Sequence, residues 1–398
     1  DVTVPEDNSP EEVLDGLSAD VQRTVEGLSS TGELITCPFH NAHMYFPGYR
    51  SRAFRTFFPG DWREYPPGGW FHLAPTDSYQ DFYLWYFDKW VKHISVRGVY
   101  YDEAYLPKDY NVFNGSGKVM PDGSVSPSIN LMRLRRYFRR VRQTFINHGV
   151  EPFIWVHSSN YMAPHTMSWA HVAMFGEDRS PTAANDYLDV VPPILFRAIG
   201  RSQKFGLPPI WMNQVGRGGD PLSFLARQVC GWCWMHDTGA ELHPVARGRA
   251  QQGLRIQWGI AKPDVTYHAY WTQQIVTTGD EDYIVSIWKR PDTALLQVFN
   301  LKKDASPSTV NLAFDADELG LGGGFTVYDL ESAPRVAELK KQLARYDAGE
   351  VKGGRPLLKK LQRTHQPNFN LKNLRRVGDQ EGATVTIAPR DFVLLVIK

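Results

Sequence analysis

Between about residues 10 and 260, short apolar runs alternate with stretches whose apolar positions recur at helical spacing. The runs "ELITCPFH", "RGVYYDEA", "EPFIWVHSSN", "HVAMFGED" and "PPIWMNQ" are β-prone, and each closes on polar or ionisable residues. Helices are expected between them. Ser9 as N-cap, Pro10 at N1 and Glu12 at N3 open one that runs to about Leu28. A second spans Asp77 to His93, with Phe82, Trp85, Tyr86 and Trp90 as its apolar face. A third carries Leu131, Leu134, Phe138, Val141 and Phe145 on one side and ends at Gly149. A fourth starts near Pro181 or Asn185 and reaches Phe205. Asp220 as N-cap and Pro221 at N1 open a further helix, followed by a last strand ending in His236 and Asp237.

Strand and helix in alternation specify parallel strands with covering helices, which suits either a doubly wound sheet or a (β/α)8 barrel. Polar residues recur just past the strand ends: His40, Asp102 and Glu103, His157, Glu177, Asn213, and His236 with Asp237. A barrel brings such positions to one face, and their number favours it over an open sheet. About six strands are visible, so the first barrel strands are expected to be missing from this reading or to lie upstream of Asp1. An N-terminal region or a second chain would then complete the barrel. The chain opens on Asp rather than Met, as a processed, trimmed or partial chain would.

After about residue 270 the period changes. "DYIVSIWKR", "TALLQVFNL", "STVNLAF", "FTVYDL", "ATVTIAP" and "FVLLVIK" are short strands between turn residues, which predicts an all-β sandwich. The expected domains are thus a catalytic barrel over 1–270 and a β-sandwich over 271–398. A basic insertion at about 334–377 reads as a surface helical excursion.

Composition narrows the function classes. A net charge of +1 provides no global field for nucleic acid or an anionic membrane. The arginines of "LRRYFRRVRQTF" fall opposite the apolar face of their helix, as a solvated surface does. No apolar run is long enough to span a membrane, and the opening residues do not read as a signal peptide. With three cysteines there is no disulfide scaffold, and Cys230 and Cys233 in "CGWC" read as buried structural thiols. "GRGGD" lacks the phosphate-loop lysine and reads as a plain strand-to-helix connection. His40 and His43 have no further ligand at metal-binding spacing. Asn114 lies in an N-G-S sequon, an acceptor where the source glycosylates. Aromatics make up 13% of the chain, a composition that suits sugar-stacking surfaces as well as cores.

The adjacent acids Asp102 and Glu103 end an apolar strand. Glycosidic cleavage needs one carboxylic acid to protonate the leaving oxygen and a second group to manage charge at the anomeric carbon. Two carboxylates on different strands serve the ordinary retaining design. Adjacent acids suit substrate assistance: the sugar's 2-acetamido oxygen attacks, one carboxylate orients that amide, and its neighbour is the acid/base. A neighbouring carboxylate also raises the acid's pKa toward the useful range.

The stretches "GVYYDEAY", "DGSVSPS" with "LRRYFRRVRQTF", "FIWVHSSN" and the C-terminal β-module resemble glycoside hydrolase family 123 and its uncharacterised relatives. The resemblance spans roughly residues 30 to 300 and is most specific at the Asp–Glu pair. It implies a retaining, substrate-assisted β-N-acetylgalactosaminidase on a (β/α)8 barrel with appended β-sandwiches. Asp102 then matches the oxazoline-stabilising Asp and Glu103 the acid/base, with no metal or organic cofactor. The family usually carries an N-terminal β-sandwich and early barrel strands, whereas this chain is expected to start inside the barrel. Relatives acting on sugars without an N-acetyl group would give Asp102 another role.

An oligosaccharide, polysaccharide or glycoconjugate is the expected partner. Its candidate contacts are Tyr105, His157, Asn160, Trp155, Trp169, Glu177, Asn213, His236, Asp237 and His40. A glycosidase acting on a non-acetamido polysaccharide, a non-catalytic carbohydrate-binding barrel, and a lyase or metal hydrolase are the alternatives.

Overall fold

The computed structural model describes residues 39–41, 63–64, 72–94, 96–102, 104, 108–158, 167–179, 186–202, 206–212, 224–240, 248–303, 306–322, 324–351 and 370–398. These divide into two compact units, residues 1–175 with 203–209, and residues 176–202 with 210–398.

The first unit holds four parallel strands, β1 (Phe39–Asn41), β2 (Gly98–Asp102), β3 (Phe153–His157) and β4 (Val172–Phe175), adjacent in that order. Its long helices are α1 (Asp77–Ile94) and α2 (Leu131–Asn147). Both form where the helical period predicts them. On α2, Leu134, Tyr137, Phe138, Val141 and Phe145 are buried in one stripe. On α1 the buried stripe is Tyr79, Tyr83, Tyr86, Phe87 and Trp90. Trp85 departs from the expected apolar face: it is exposed, with the Lys89 ammonium 3.4 Å from its ring centroid. The helical period places it one position off the stripe.

The arginines of α2 answer a row of acids on α1. Arg136 pairs with Asp77, Arg140 with Asp81 at 2.5 Å, and His148 beyond the helix end with Asp88 at 2.7 Å. These pairs are largely solvent-exposed and contribute at most about 1 kcal/mol each. They orient the helix pair, while the buried aromatics supply most of the stability at about 2–3 kcal/mol per side chain.

The second unit opens with two short helices, α3 (Tyr187–Val190) and α4 (Pro193–Ile199). One long helix was expected here. Pro192 and Pro193 break it, because Pro cannot continue a preceding helix but fits a first turn. Strand β5 (Pro209–Trp211) pairs in parallel with β6 (Gly239–Ala240) through Ile210 and Trp211. Between them lies α5 (Phe224–Met235), whose residues from Ala226 to Met235 are all buried. The strand expected to end at His236 is therefore a helix. Cys230 and Cys233 lie inside it, and burial pushes the Cys230 thiol up to about 12. Helix α6 (Arg249–Trp258), absent from the sequence reading, follows.

The rest of this unit is one nine-stranded antiparallel sheet: β7 (Thr266–His268), β8 (Val276–Thr277), β9 (Tyr283–Arg290), β10 (Thr293–Asn300), β11 (Ser308–Phe314), β12 (Thr326–Asp329), β13 (Arg375–Asp379), β14 (Gly382–Ile387) and β15 (Phe392–Ile397). Their order is β7-β9-β10-β15-β12-β13-β14-β11-β8. Val285, Leu296 and Leu395, on β9, β10 and β15 toward one end of the order, share one core with Val310, Leu312, Val385 and Ile275 from toward the other end. The sheet thus curls over its own apolar face, as the two layers of a sandwich would. Helix α7 (Pro334–Asp347) opens the basic segment and buries Val336, Leu339 and Leu343. The excursion is helical there; residues 352–369 lie outside the description.

Candidate active site

Parallel pairing sets a row of residues along the carboxyl ends of the first unit's strands. Asn41 lies opposite Asp102, Tyr101 opposite Val156, and Met174 opposite His157. Asp102 is the last residue of β2, and the ladder continues briefly past it. The Ala104 amide donates to the His157 carbonyl at 2.7 Å, and the Ser158 hydroxyl donates to the Ala104 carbonyl at 3.3 Å. The Ser158 amide in turn donates to the Met174 carbonyl at 2.9 Å. The backbone on both sides of position 103 is thereby fixed.

Strand alternation gives the two faces different chemistry. Val99 and Tyr101 of β2, with Ile154 and Val156 of β3, are fully buried. The Tyr101 hydroxyl meets that of Tyr83 on α1 at 3.0 Å and accepts from that of Tyr137 on α2 at 3.2 Å. Burial raises all three tyrosines above the usual phenol pKa, so they stay protonated. This closed triad ties the carboxyl end of β2 to both helices.

The other face carries Tyr100, Trp155 and His157. The Tyr100 hydroxyl and His157 Nδ1 share a hydrogen bond at 3.0 Å, and the Tyr100 ring meets Trp155 edge-on at 5.4 Å. The Tyr100 hydroxyl also reaches the Met174 sulfur at 3.9 Å. His157 is buried while Tyr100 and Trp155 are half-buried, so aromatic surface is presented to solvent on this face. Tyr100 was missed in the sequence. Its position two residues before Asp102 was the available signal, since alternation puts those two positions on one face.

Glu177 follows β4, in a turn of 3-10 helix over Glu177–Arg179. Gly176 makes that turn possible. Its φ is +99°, and a Cβ there would sit 2.5 Å from the Trp211 ring. Trp169 instead lies ahead of β4, at the opposite end of that strand, with the Arg135 guanidinium 5.4 Å from its ring centroid.

His236 and Asp237 also differ from expectation. They form the C-terminal turn of α5, before β6, rather than following a strand. His236 is enclosed by Phe196, Trp232, Tyr270 and Trp271. Its Nδ1 bonds the Trp232 carbonyl at 2.8 Å, and Nε2 meets the Tyr270 hydroxyl at 3.3 Å. Burial lowers its pKa to about 4, which keeps the ring neutral. Asp237 adopts φ of +54° and accepts from the Trp288 indole at 2.8 Å. Both residues have structural partners.

Of the remaining candidates, His40 lies on β1 with only its backbone described, as does Asp102 on β2. Glu103, Tyr105, Asn160, Asn213 and His43 fall outside the described residues.

No protein-family model matches the chain, and no curated protein matches it in sequence. Solved structures do. The chain is similar to the noncanonic maltogenic alpha-amylase AmyB from Thermotoga neapolitana at 8% identity and a TM-score of 0.51, over 95% of this chain and 80% of that one. It is equally similar to the alpha-amylase GTA from Geobacillus thermoleovorans, complexed with acarbose, at 8% identity and a TM-score of 0.50, over 96% and 81%. The fold is an α/β barrel type followed by an all-β sheet. At this identity the likeness is one of fold, and chemistry has to be argued from the residues.

Proposed function

We propose that the chain is a glycoside hydrolase, and that Asp102 and Glu103 carry its chemistry. One observation supports this most: Asp102 ends a parallel strand in the carboxyl-end row, on the register face of Tyr100, with the flanking backbone pinned by Ala104 and Ser158. In barrel enzymes that edge is where catalytic groups sit. Solved structures of the same fold include two alpha-amylases. The aromatic surface of Tyr100 and Trp155 beside the row suits a sugar ring.

The finer reading is a retaining, substrate-assisted β-N-acetylgalactosaminidase like glycoside hydrolase family 123. Asp102 orients the 2-acetamido group so that its oxygen attacks the anomeric carbon. Glu103 gives its proton to the leaving oxygen as the glycosidic bond breaks. The acetamido N–H proton passes to the Asp102 carboxylate as the neutral oxazoline forms. Water, deprotonated by Glu103, then attacks the anomeric carbon and opens the ring, and Asp102 returns its proton to the nitrogen. His157 keeps the Tyr100 hydroxyl in place beside this centre. Residues 1–270 would form the catalytic part and 271–398 the accessory part.

The test is a panel of aryl β-glycosides with and without a 2-acetamido group, run with a thiazoline that mimics the oxazoline. Turnover of acetamido sugars, inhibition by the thiazoline, and loss of about a hundredfold or more in kcat for Glu103→Gln are expected. Hydrolysis of only non-acetamido sugars would overturn substrate assistance and leave a glycosidase of another design. Sugar binding without turnover would identify a non-catalytic barrel.

A further inference from the structure

Between β2 and α2 the chain makes a long excursion, residues 108–130, built around a buried carboxylate. Asp109 is fully buried. Its Oδ1 accepts from the Asn111 amide at 2.9 Å, and its Oδ2 from Asn114 Nδ2 and Asn130 Nδ2, both at 2.9 Å. Arg133 closes the cluster from α2: Nη2 donates to the Asn114 carbonyl at 2.7 Å, and Nη1 to Asn130 Oδ1 at 3.1 Å and Ser116 Oγ at 3.2 Å. A Cβ on Gly117 would lie 2.2 Å from the Tyr110 carbonyl oxygen, so the two limbs of this turn touch. The Asn114 amide nitrogen is itself spent on Asp109, which removes the sequon from use in the folded chain.

What this cluster holds up is a phenylalanine in water. Phe113 is 78% exposed and its amide is fixed by Asn111 Oδ1 at 2.8 Å; Tyr110, three residues earlier on the same turn, is 36% exposed. An isolated exposed apolar residue is ordinary on a surface. A large aromatic at the tip of a turn stiffened by a saturated carboxylate is different, because the ordering entropy of the turn is already spent in the free protein.

We propose that Phe113 and Tyr110 form an aromatic platform that stacks on a sugar ring of an oligosaccharide, beyond the residue that is cleaved. The inference rests on the glycosidase reading and gives it a substrate class, a chain of several sugars. A pyranose offers a flat patch of C–H groups ringed by hydroxyls, so it needs a rigid aromatic face with polar surroundings. The same excursion exposes the polar Lys108, Lys118, Ser126 and Ser128 together with the apolar Val112, Val119, Val125 and Ile129, a mixed surface of the kind a sugar's hydroxyl rim and C–H face both require. The excursion is also the connection that leaves β2, the strand ending in Asp102. In a barrel, such strand-to-helix connections build the walls of the substrate cleft.

The experiment compares full-length wild type with Phe113→Ala, Phe113→Tyr and Tyr110→Ala. The readout is the ratio of kcat/KM on a six-sugar oligosaccharide to that on the aryl glycoside of the same sugar. Phe113→Ala should lower this ratio about tenfold, chiefly through KM, and Phe113→Tyr should restore it. An unchanged ratio overturns the platform, as does a loss shared equally by both substrates. If the wild type hydrolyses nothing, native gels cast with starch, xylan, N-acetylated chitosan or the N-acetylgalactosamine-containing polymer chondroitin separate the two readings. Retardation that Phe113→Ala abolishes supports the platform without the enzyme; no retardation in any gel overturns it. Light scattering covers the other occupant: a dimer that Phe113→Ala dissociates would assign this face to a second copy of the chain.

Discussion

Helix α5 is joined to the all-β sheet by a buried charge network whose removal has a calculable consequence. Arg227 Nε donates to Asp391 Oδ1 at 2.6 Å, and Nη2 donates to both Glu331 oxygens at 3.2 Å and to the Phe392 carbonyl at 2.6 Å. The guanidinium also lies 4.1 Å from the Phe392 ring centroid. Glu331 is fully buried at its side chain, and Lys340 is its other cation at 2.5 Å. Burial alone would raise the Glu331 pKa, yet Arg227 and Lys340 outweigh it and hold the carboxyl below its ordinary value. An Arg227→Met variant keeps the apolar stem and removes the charge. It leaves a buried carboxylate with one partner, which costs about 3–5 kcal/mol near neutral pH. A group with a depressed folded pKa contributes stability above its unfolded pKa and loses it as pH falls through the folded value. In the variant the balance reverses: burial dominates, the folded pKa rises, and the penalty shrinks once acid protonates Glu331 in both states. The measurement is urea unfolding of both proteins at about pH 7 and about pH 4, followed by tryptophan fluorescence. The stability difference should be largest at neutral pH and smallest in acid, and Arg227→Met with Glu331→Gln should recover part of it. A difference below about 1 kcal/mol, or one that does not change with pH, would refute the charge argument.

His236 gives a second pH signature. Its folded pKa of about 4 lies below the ordinary 6.5, so stability is full above about pH 6.5 and falls by about 3 kcal/mol toward pH 4; His236→Gln should remove that slope from denaturation curves. Gly231→Ala would place a methyl 2.2 Å from the Phe392 ring, and overpacking of about 1–3 kcal/mol should appear as a lower Tm in calorimetry. Tyr101→Phe removes the hydroxyl shared by Tyr83 and Tyr137, which should cost about 1–3 kcal/mol; Tyr137→Phe, which leaves the Tyr101–Tyr83 bond, should cost less in the same unfolding assay.

The elements legible in the sequence were those with one buried face. α2 shows its stripe because Arg136 and Arg140 face α1's acids while Phe138 and Val141 face inward. β2, β3 and β4 were visible as short apolar runs between turn signals. The period failed where burial is all round. α5 has no solvent-facing side, so although Asp220 and Pro221 signal a helix, the apolar density toward the end of "FLARQVCGWCWM" reads as a following strand, where the helix in fact runs on to Met235. Only contacts distant in sequence explain that density: the Gln297 amide donates to the Gly231 carbonyl at 2.6 Å, and the Ser286 hydroxyl to the Met235 carbonyl at 2.7 Å. The misreading moved His236 and Asp237 from a helix end to a strand end, and so into the candidate site. Trp169 was drawn in by residue type alone. His157 was legible because it ends a strand, whereas its partner Tyr100 is named by register and not by composition.

Adjacency of Asp102 and Glu103 is useful only at one kind of place. Inside a strand, neighbouring side chains diverge to opposite faces, and two adjacent acids address different surroundings. On β2 the inward neighbour of the pair, Tyr101, is committed to the helix layer by Tyr83 and Tyr137, while Tyr100 is committed to the open face by His157. The strand ends at Asp102. Substrate assistance needs one acid at the acetamido group and one at the leaving oxygen of the same sugar, on a backbone that does not move as charge develops. The bonds from Ala104 to His157 and Ser158 provide that stiffness one residue beyond the pair. A solvated surface turn would not need both of its flanks tied into a parallel ladder, and that difference is what the proposed role of the pair rests on.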